Sequence, residues 1–361
     1  MNPLVPAAEA LVAAGHEVDL FLATGSEMFN FENIDMTLNR RSLCLSALGL
    51  PTLLQTLSAQ AQTWPEKPVT FIVPYVAGAG VDPVARLITR KLADQWKQPL
   101  IVDNRPGASG TIGAAVVARA APDGLTLLMS ATAEVVIDEH FMARMPYNPS
   151  TDLKPVTLIV RLPFALVTAP SKPYQDMAGL IAYAKKHPGQ VSYGSSGPGT
   201  PQHLAGVLLE QLAGIQLLHV PFKGVAQAMT DIMGGNVDIG FAGLPTALQQ
   251  VLAGKVRALG VSSKKAADAA PQIPPIANTP GLEAFELLQW FGLFAPAKTP
   301  DTIIAKIQHD VAETLALPDI RDTLTKQGAD PSGMPTPEFV SFVKSERERF
   351  KAIVKAAKIE Q

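Results

Sequence analysis

The sequence of 361 residues has one cysteine, no excess of charge of either sign and no long apolar run. A single cysteine excludes an intramolecular disulfide and any cysteine-rich zinc or iron-sulfur site. With 30 Lys+Arg against 32 Asp+Glu, the formal net charge is -2. The basic footprint that non-specific nucleic-acid binding needs is missing, so no nucleic-acid partner is expected. His140, His187, His203, His219 and His309 show neither H-x-x-H nor H-E-x-x-H spacing, so no metal and no cofactor is expected. Asp138-Glu139-His140 reads as a solvated charged turn. What is plentiful is apolar residues, 47% of the chain, which exclude disorder and allow two domains of roughly 100–200 residues each.

Met36 opens a second plausible start. Arg40-Arg41 form a basic region, residues 43–57 an apolar region and Ala59-Gln60-Ala61 a cleavage site, the order of a secretory signal. The apolar part includes Ser, Gln, Thr and Pro51, and falls short of the roughly 20 residues needed to span a bilayer. Arg40-Arg41-Ser42-Leu43 resembles a twin-arginine signal, with the general secretory route as the alternative. Either route leads to the bacterial periplasm. Residues 1–35 hold six acidic residues and no Lys or Arg, and read as an over-extended start or, alternatively, a cytoplasmic leader. Removing residues 1–61 takes away six acids, two arginines and the cysteine, leaving 300 residues of net charge +2.

From Val69 onward, β-branched runs alternate with amphipathic stretches. Strands are expected at 69–73, 99–103, 125–129, 165–168, 191–193, 216–220, 237–241 and 256–261. Helices are expected at 83–95, 110–121, 177–186, 202–213, 225–233, 246–253, 300–317 and 337–357, the last two packing back on the first unit. The βαβαβ pattern gives an α/β fold of two doubly wound domains joined by a hinge. The expected division is 62–164 plus 287–361 for one domain and 165–286 for the other.

Three glycine-rich loops follow strands and open helices. In the first, residues 74–83, Gly78 and Gly80 allow tight turning, and Asp82 is placed to cap the helix that begins near Pro83. Free N–H groups at such a helix start attract anions, although a helix-entry turn without ligand is the plain alternative. The loop matches G-x-G of the dinucleotide fingerprint, but Pro83 replaces the third glycine. The second loop, residues 105–113, fits a tight connection as well as a ligand site. In the third, residues 193–204, glycines, hydroxyls and free N–H groups crowd one helix start and could hold a carboxylate or phosphate without a formal positive charge. A G-x-S-x-G elbow centred on Ser196 fails because position 198 is Pro, and no Walker Gly-Lys-Thr follows. His203 remains open as ligand contact, hydrogen-bonding helix residue or catalytic base.

Several segments together are similar to the Bug-type solute receptors of tripartite tricarboxylate transporters. They are Trp64-Pro65, Val73-Pro74-Tyr75 with the loop ending in Asp82, residues 102–113, Ala120 to Gly124, Tyr193 to Gly197 with Gln202 to Gly206, His219 to Gly224, Gly234 to Asp238 and Trp290 to Pro296. The resemblance covers residues 62–361. It implies a periplasmic binding protein of the type II-like fold, not an enzyme, that closes on a small carboxylated solute and delivers it to membrane permease subunits, expected as a monomer. The implied ligand contacts are Tyr75, Val76, Ala77, Gly78, Ala79, Gly80 and Asp82 of the first loop, and Ser195, Ser196, Gly199, Thr200 and His203 of the third. Ala131 and Thr132, Phe222, Lys223 and Gly224, and Gly243 complete the implied set. The chain departs from its relatives at residues 76–79, where they usually carry Pro-Pro-Gly-Gly, at residues 131–134, and at residues 241–244, which lack the usual Asp or Asn. Two other readings of the same residues are an exported α/β hydrolase using Ser195 or Ser196 with His203, and a periplasmic sensor partner.

Overall fold

Short runs such as Val69–Val73 are apolar on both faces, the pattern of a strand covered on both sides by helices. The computed structural model describes residues 64–357 apart from Ala79, so the expected leader and export signal lie outside the described residues. Elements follow in the order β1 Val69–Val73, α1 Val81–Trp96, β2 Leu100–Asn104, α2 Thr111–Ala118, β3 Thr126–Ser130, α3 Ala133–Val136 and β4 Leu153–Thr168. Next come α4 Met177–Lys186, β5 Val191–Ser195, α5 Pro201–Ala213, β6 Leu217–Pro221, α6 Val225–Met233, β7 Ile239–Gly243, α7 Leu244–Leu252 and β8 Arg257–Val261. The chain ends with β9 Leu288–Pro296, α8 Asp301–Ala316, α9 Pro318–Lys326, β10 Asp330–Pro331 and α10 Thr336–Ala357.

The strands form one mixed sheet in the order β2-β1-β3-β9-β4-β7-β5-β6, with β8 and β10 also paired to β4. Its flanks are parallel, as the βαβ pattern requires. Its middle is antiparallel, because β9 runs against both β3 and β4, and β7 runs against β4.

β4 is the main departure from the sequence-based expectation, which placed a strand only at 165–168. The strand begins at Leu153, and Pro155 and Pro163 do not end it. Register shifts between Pro155 and Thr157 and between Leu158 and Val160 accommodate the interrupted ladder. Residues 153–163 pair with β9, and residues 164–168 pair with β7 and β8. At the changeover, the Phe164 N–H donates to Ser262 Oγ and the Ser262 N–H donates to the Phe164 carbonyl, both at 2.8 Å. The Leu287 N–H donates to the Ser262 carbonyl at 3.2 Å.

Helices cover the sheet with apolar stripes. In α1, Val84, Ala85, Ile88 and Leu92 are buried at helical spacing against Phe71 and Leu127. α8 packs on α1 and β4 as expected of the C-terminal segments. α10 does more: it packs on β4 and on α5, and its Phe339, Phe350 and Val354 share an apolar cluster with Leu204 and Leu209.

Candidate functional site

The registers set where the loops lie. β3 ends at Ser130, which is opposite Gly292, itself opposite Leu158 of β4. β7 ends at Gly243, opposite Phe164, and runs the other way. The loops leaving β1, β2 and β3 and those leaving β5, β6 and β7 therefore face each other across the middle of β4. Leu158 and Phe164 are six residues apart along that strand, a span of roughly 20 Å at about 3.3 Å per residue. The carboxyl ends of parallel strands are where α/β sheets hold ligands.

In the first loop, Gly78 and Gly80 have φ of 82° and 52°, left-handed values that favour glycine. The capping expectation for Asp82 is corrected: Gly80 is the N-cap, no side chain caps, and Asp82 lies inside the first turn of α1. Its buried carboxylate braces the loop instead. Oδ2 accepts from the Gly78 N–H at 2.8 Å and Arg86 Nε at 2.9 Å, and Oδ1 accepts from Asn104 Nδ2 at 2.9 Å. Burial raises its pKa, but the hydrogen bonds from Arg86, Gly78 and Asn104 outweigh it and hold the group below the usual carboxylate range. The Tyr75 hydroxyl donates to Glu134 Oε2 at 2.7 Å. Val76 is 59% exposed, Ala77 is also exposed, and Ala79 lies outside the described residues.

The third loop leaves β5 at the buried Ser195. Gly197 and Gly199 take φ of 118° and 76°, and Thr200 caps α5, with Pro201 at the first helical position. The Gly199 N–H donates to His203 Nδ1 at 3.1 Å, so that nitrogen carries no proton and His203 is the Nε2–H tautomer. The His203 ring stacks on His219 at 4.0 Å, and His219 stacks on the buried Tyr193 at 4.9 Å. Burial, then the neighbouring His219, pushes His203 down to about 4.

The hydrolase pairing is corrected by these contacts. Ser195 Oγ lies 2.6 Å from His219 Nε2, not against His203, and it also donates to the Gly197 carbonyl and accepts from the Gly197 N–H. Ser195 is therefore held between the His219 ring and the Gly197 backbone, and His203 has no contact with it. Ser196 donates to Gln202 Oε1 at 3.1 Å. Among the described residues no carboxylate hydrogen-bonds to His219, so the third member of a triad is missing.

Between the two loop families runs the segment after β3. Ala131 and Thr132 are buried. Thr132 Oγ1 accepts from the Trp290 N–H at 3.0 Å and lies 3.3 Å from the Trp290 carbonyl, which ties β3 to β9. The reading of residues 138–140 as a solvated turn is corrected: Asp138 is 1% exposed. Glu134, one helical turn earlier, is also fully buried and accepts from the Ala131 N–H at 2.7 Å as well as from Tyr75. Burial pushes Glu134 up to about 8 and Asp138 up to about 7. A Cβ on Gly199 would stand 2.7 Å from the Phe141 ring, so this segment touches the third loop as well as the first.

On the far side, the Phe222 N–H donates to the Ser195 carbonyl at 2.9 Å, Lys223 is exposed, and Gly224 precedes α6. The structure thus joins residues 195–203 with 222–224, and residues 75–82 with 131–138, and links these groups through Phe141 against Gly199. Gly243 stands at the end of β7. Phe141 and His219 were not expected as site residues from the sequence. The signal available for Asp138 and Glu134 was their spacing of four in an otherwise apolar stretch. His309, Asp310 and Glu313 of α8 bring ligand-type atoms within 4.8 Å. Asp310 already accepts from the Trp96 indole at 2.6 Å and Lys306 at 2.9 Å, and His309 and Glu313 are exposed on the helix surface.

The family model described as tripartite tricarboxylate transporter family receptor matches residues 84–359. The chain is 37% identical over 309 residues to the "UPF0065 protein in tcbD-tcbE intergenic region" of Pseudomonas sp. (strain P51), covering 85% of this chain and 92% of that protein. It is similar to the solved structure "R. palustris Rpa4515 with adipate", with a TM-score of 0.72 and 32% identity over 82% of this chain and 99% of that one. It is also similar to "MatC (Rpa3494) from Rhodopseudomonas palustris with bound malate", with a TM-score of 0.68 and 31% identity over 81% of this chain and all (100%) of that one. Sequence match and architecture agree across the same residues: this chain belongs to the tripartite tricarboxylate transporter receptor family.

Proposed function

We propose that this protein is a receptor, not an enzyme, that captures a small carboxylate between its two loop families. The observation that carries the reading is the convergence of the loops from the carboxyl ends of β1, β2 and β3 with those of β5, β6 and β7 on the middle of β4, with glycine-rich turns after β1, β2 and β5. Such loops offer backbone N–H groups and hydroxyls to an anion in place of a formal charge. The solved relatives with adipate and malate are consistent with that chemistry. In this reading the ligand contacts are Tyr75 to Gly78, Gly80 and Asp82, Ala131 and Thr132, Ser195, Ser196, Gly199, Thr200 and His203, Phe222 to Gly224, and Gly243. The two lobes are 62–164 with 287–361, and 165–286, hinged at Phe164, Ser262 and Leu287. Closure of the lobes brings contacts from both sides onto one ligand. The receptor acts as a monomer in the periplasm and hands its solute to the membrane permease subunits of a tripartite transporter.

The test is thermal unfolding of mature protein, refolded from denaturant to remove co-purified ligand, against a panel of mono- and dicarboxylates. Ligand at about 100 times Kd stabilises by roughly 2.7 kcal/mol, which raises Tm by several degrees. No shift with any carboxylate refutes the reading.

A further inference from the structure

Asp138 is buried, and its Oδ1 lies 3.4 Å from the hydroxyl of the exposed Ser109. Oδ2 is buried and has no hydrogen-bond partner among the described residues. Buried polar atoms are almost always paired, so an orphaned carboxylate oxygen calls for a donor from outside the chain. Its position narrows what that donor is. Ser109 belongs to the loop after β2. Glu134, four residues before Asp138, holds Tyr75 of the first loop, and Phe141, three residues after it, packs at Gly199 of the third. The orphaned oxygen therefore belongs to the segment 134–141 that all three glycine loops touch. A Cβ on Gly110 would also stand 3.1 Å from the Glu134 carboxyl carbon and 3.3 Å from the Tyr75 hydroxyl, so the loop backbone runs directly against this acidic pair.

We propose that Asp138 receives an ammonium group, so that the solute of this receptor is an amino-carboxylate. The inference rests on the receptor reading above and deepens it. The ligand carboxylate lies on the N–H groups and hydroxyls of the loops, and its ammonium donates to Asp138 Oδ2. Oδ2 has acceptor capacity to spare, whereas both oxygens of Glu134 already have donors. A second carboxylate at the same place would bring acceptor oxygens to Asp138 Oδ2 in place of the donor that oxygen lacks.

Calorimetric titration of the ligand-free mature protein decides it, using monocarboxylates, ω-hydroxy-carboxylates, dicarboxylates and amino-carboxylates matched carbon for carbon. The amino-carboxylate of the best-fitting length should bind about 10-fold or more tightly than its three matched partners, the range of a charge-assisted hydrogen bond. Asp138→Asn should remove that preference while plain carboxylate binding stays within about twofold, which also reports that the variant is folded. Dicarboxylates or hydroxy-carboxylates that bind as tightly as the amino-carboxylate overturn the inference and leave the receptor reading standing. So does an unchanged preference in Asp138→Asn. Absence of binding by every series refutes the receptor reading itself, and the inference with it.

Discussion

Gly206 sits inside α5, where helix propensity alone says that alanine stabilises by about 1 kcal/mol. The structure reverses the sign. A Cβ at Gly206 would lie 2.2, 2.5 and 2.7 Å from three atoms of the Tyr193 ring, where carbon atoms in contact are about 3.5–4.0 Å apart. The ring must give way by more than 1 Å, and it has nowhere to go: Tyr193 is 1% exposed and stacks on His219, which stacks on His203. Overpacking of a closed core costs about 1–3 kcal/mol, and this site belongs at the upper end. After the helical gain, Gly206→Ala should destabilise by about 2 kcal/mol. The displaced stack also carries His203, whose Nδ1 fixes the Gly199 N–H, so solute affinity should fall together with stability. Urea unfolding followed by circular dichroism measures the loss as a lower midpoint at unchanged slope. In a Tyr193→Leu background, where no ring stands in the way, the same substitution should be neutral or stabilising. A Gly206→Ala protein more stable than the parent refutes the packing argument, and so does an equal loss in both backgrounds.

Two further outcomes follow from buried titratable groups. His203 is held near 4, below its ordinary value of 6.5, so the unfolded chain binds more protons between these values and stability falls as pH drops from about 6.5 to about 4. His203→Asn, whose side-chain oxygen replaces Nδ1 as acceptor for Gly199, should flatten that part of a pH–stability profile measured by urea unfolding. Asp82 is also held below its ordinary value, so its contribution is complete above its unfolded pKa and is lost as pH falls through the lower folded value. Asp82→Asn should cost about 1–3 kcal/mol at neutral pH, because Gly78 and Arg86 lose a charged acceptor, and the loss should shrink in acid. An equal loss at both pH values would contradict the role of the charge.

Helices α4 and α6 and strand β1 are legible in the sequence to the residue, because each has a clear period, Gly, Pro or Asp at its boundary and no competing signal. β4 and β9 are not. The prolines of β4 read as breaks, and what keeps it a strand is pairing on both sides with segments more than 70 residues away in sequence. The anion-holding loops are visible as glycine and hydroxyl clusters next to strands. The partners of those hydroxyls are not, since the choice of His219 over His203 for Ser195 depends on β6 lying beside β5 with Tyr193 opposite His219. Asp138 reads as exposed because acidic residues next to one another normally are; only the tertiary placement of Phe141 and Ser109 puts it indoors.

The continuity of β4 limits the kind of movement open to the two loop families. A strand locked in register at both ends cannot stretch, and sliding one half along the other would break either the β9 or the β7 ladder. Twist is the soft coordinate of a strand. At Pro163 and Phe164 the ladder changes partners, which makes this the point of β4 with least pairing to hold its twist, braced by the Ser262 hydrogen bonds. Any torsion of β4 there also works against the apolar contact of α10 with α5, so the resistance to it is shared between one strand and one helix pair.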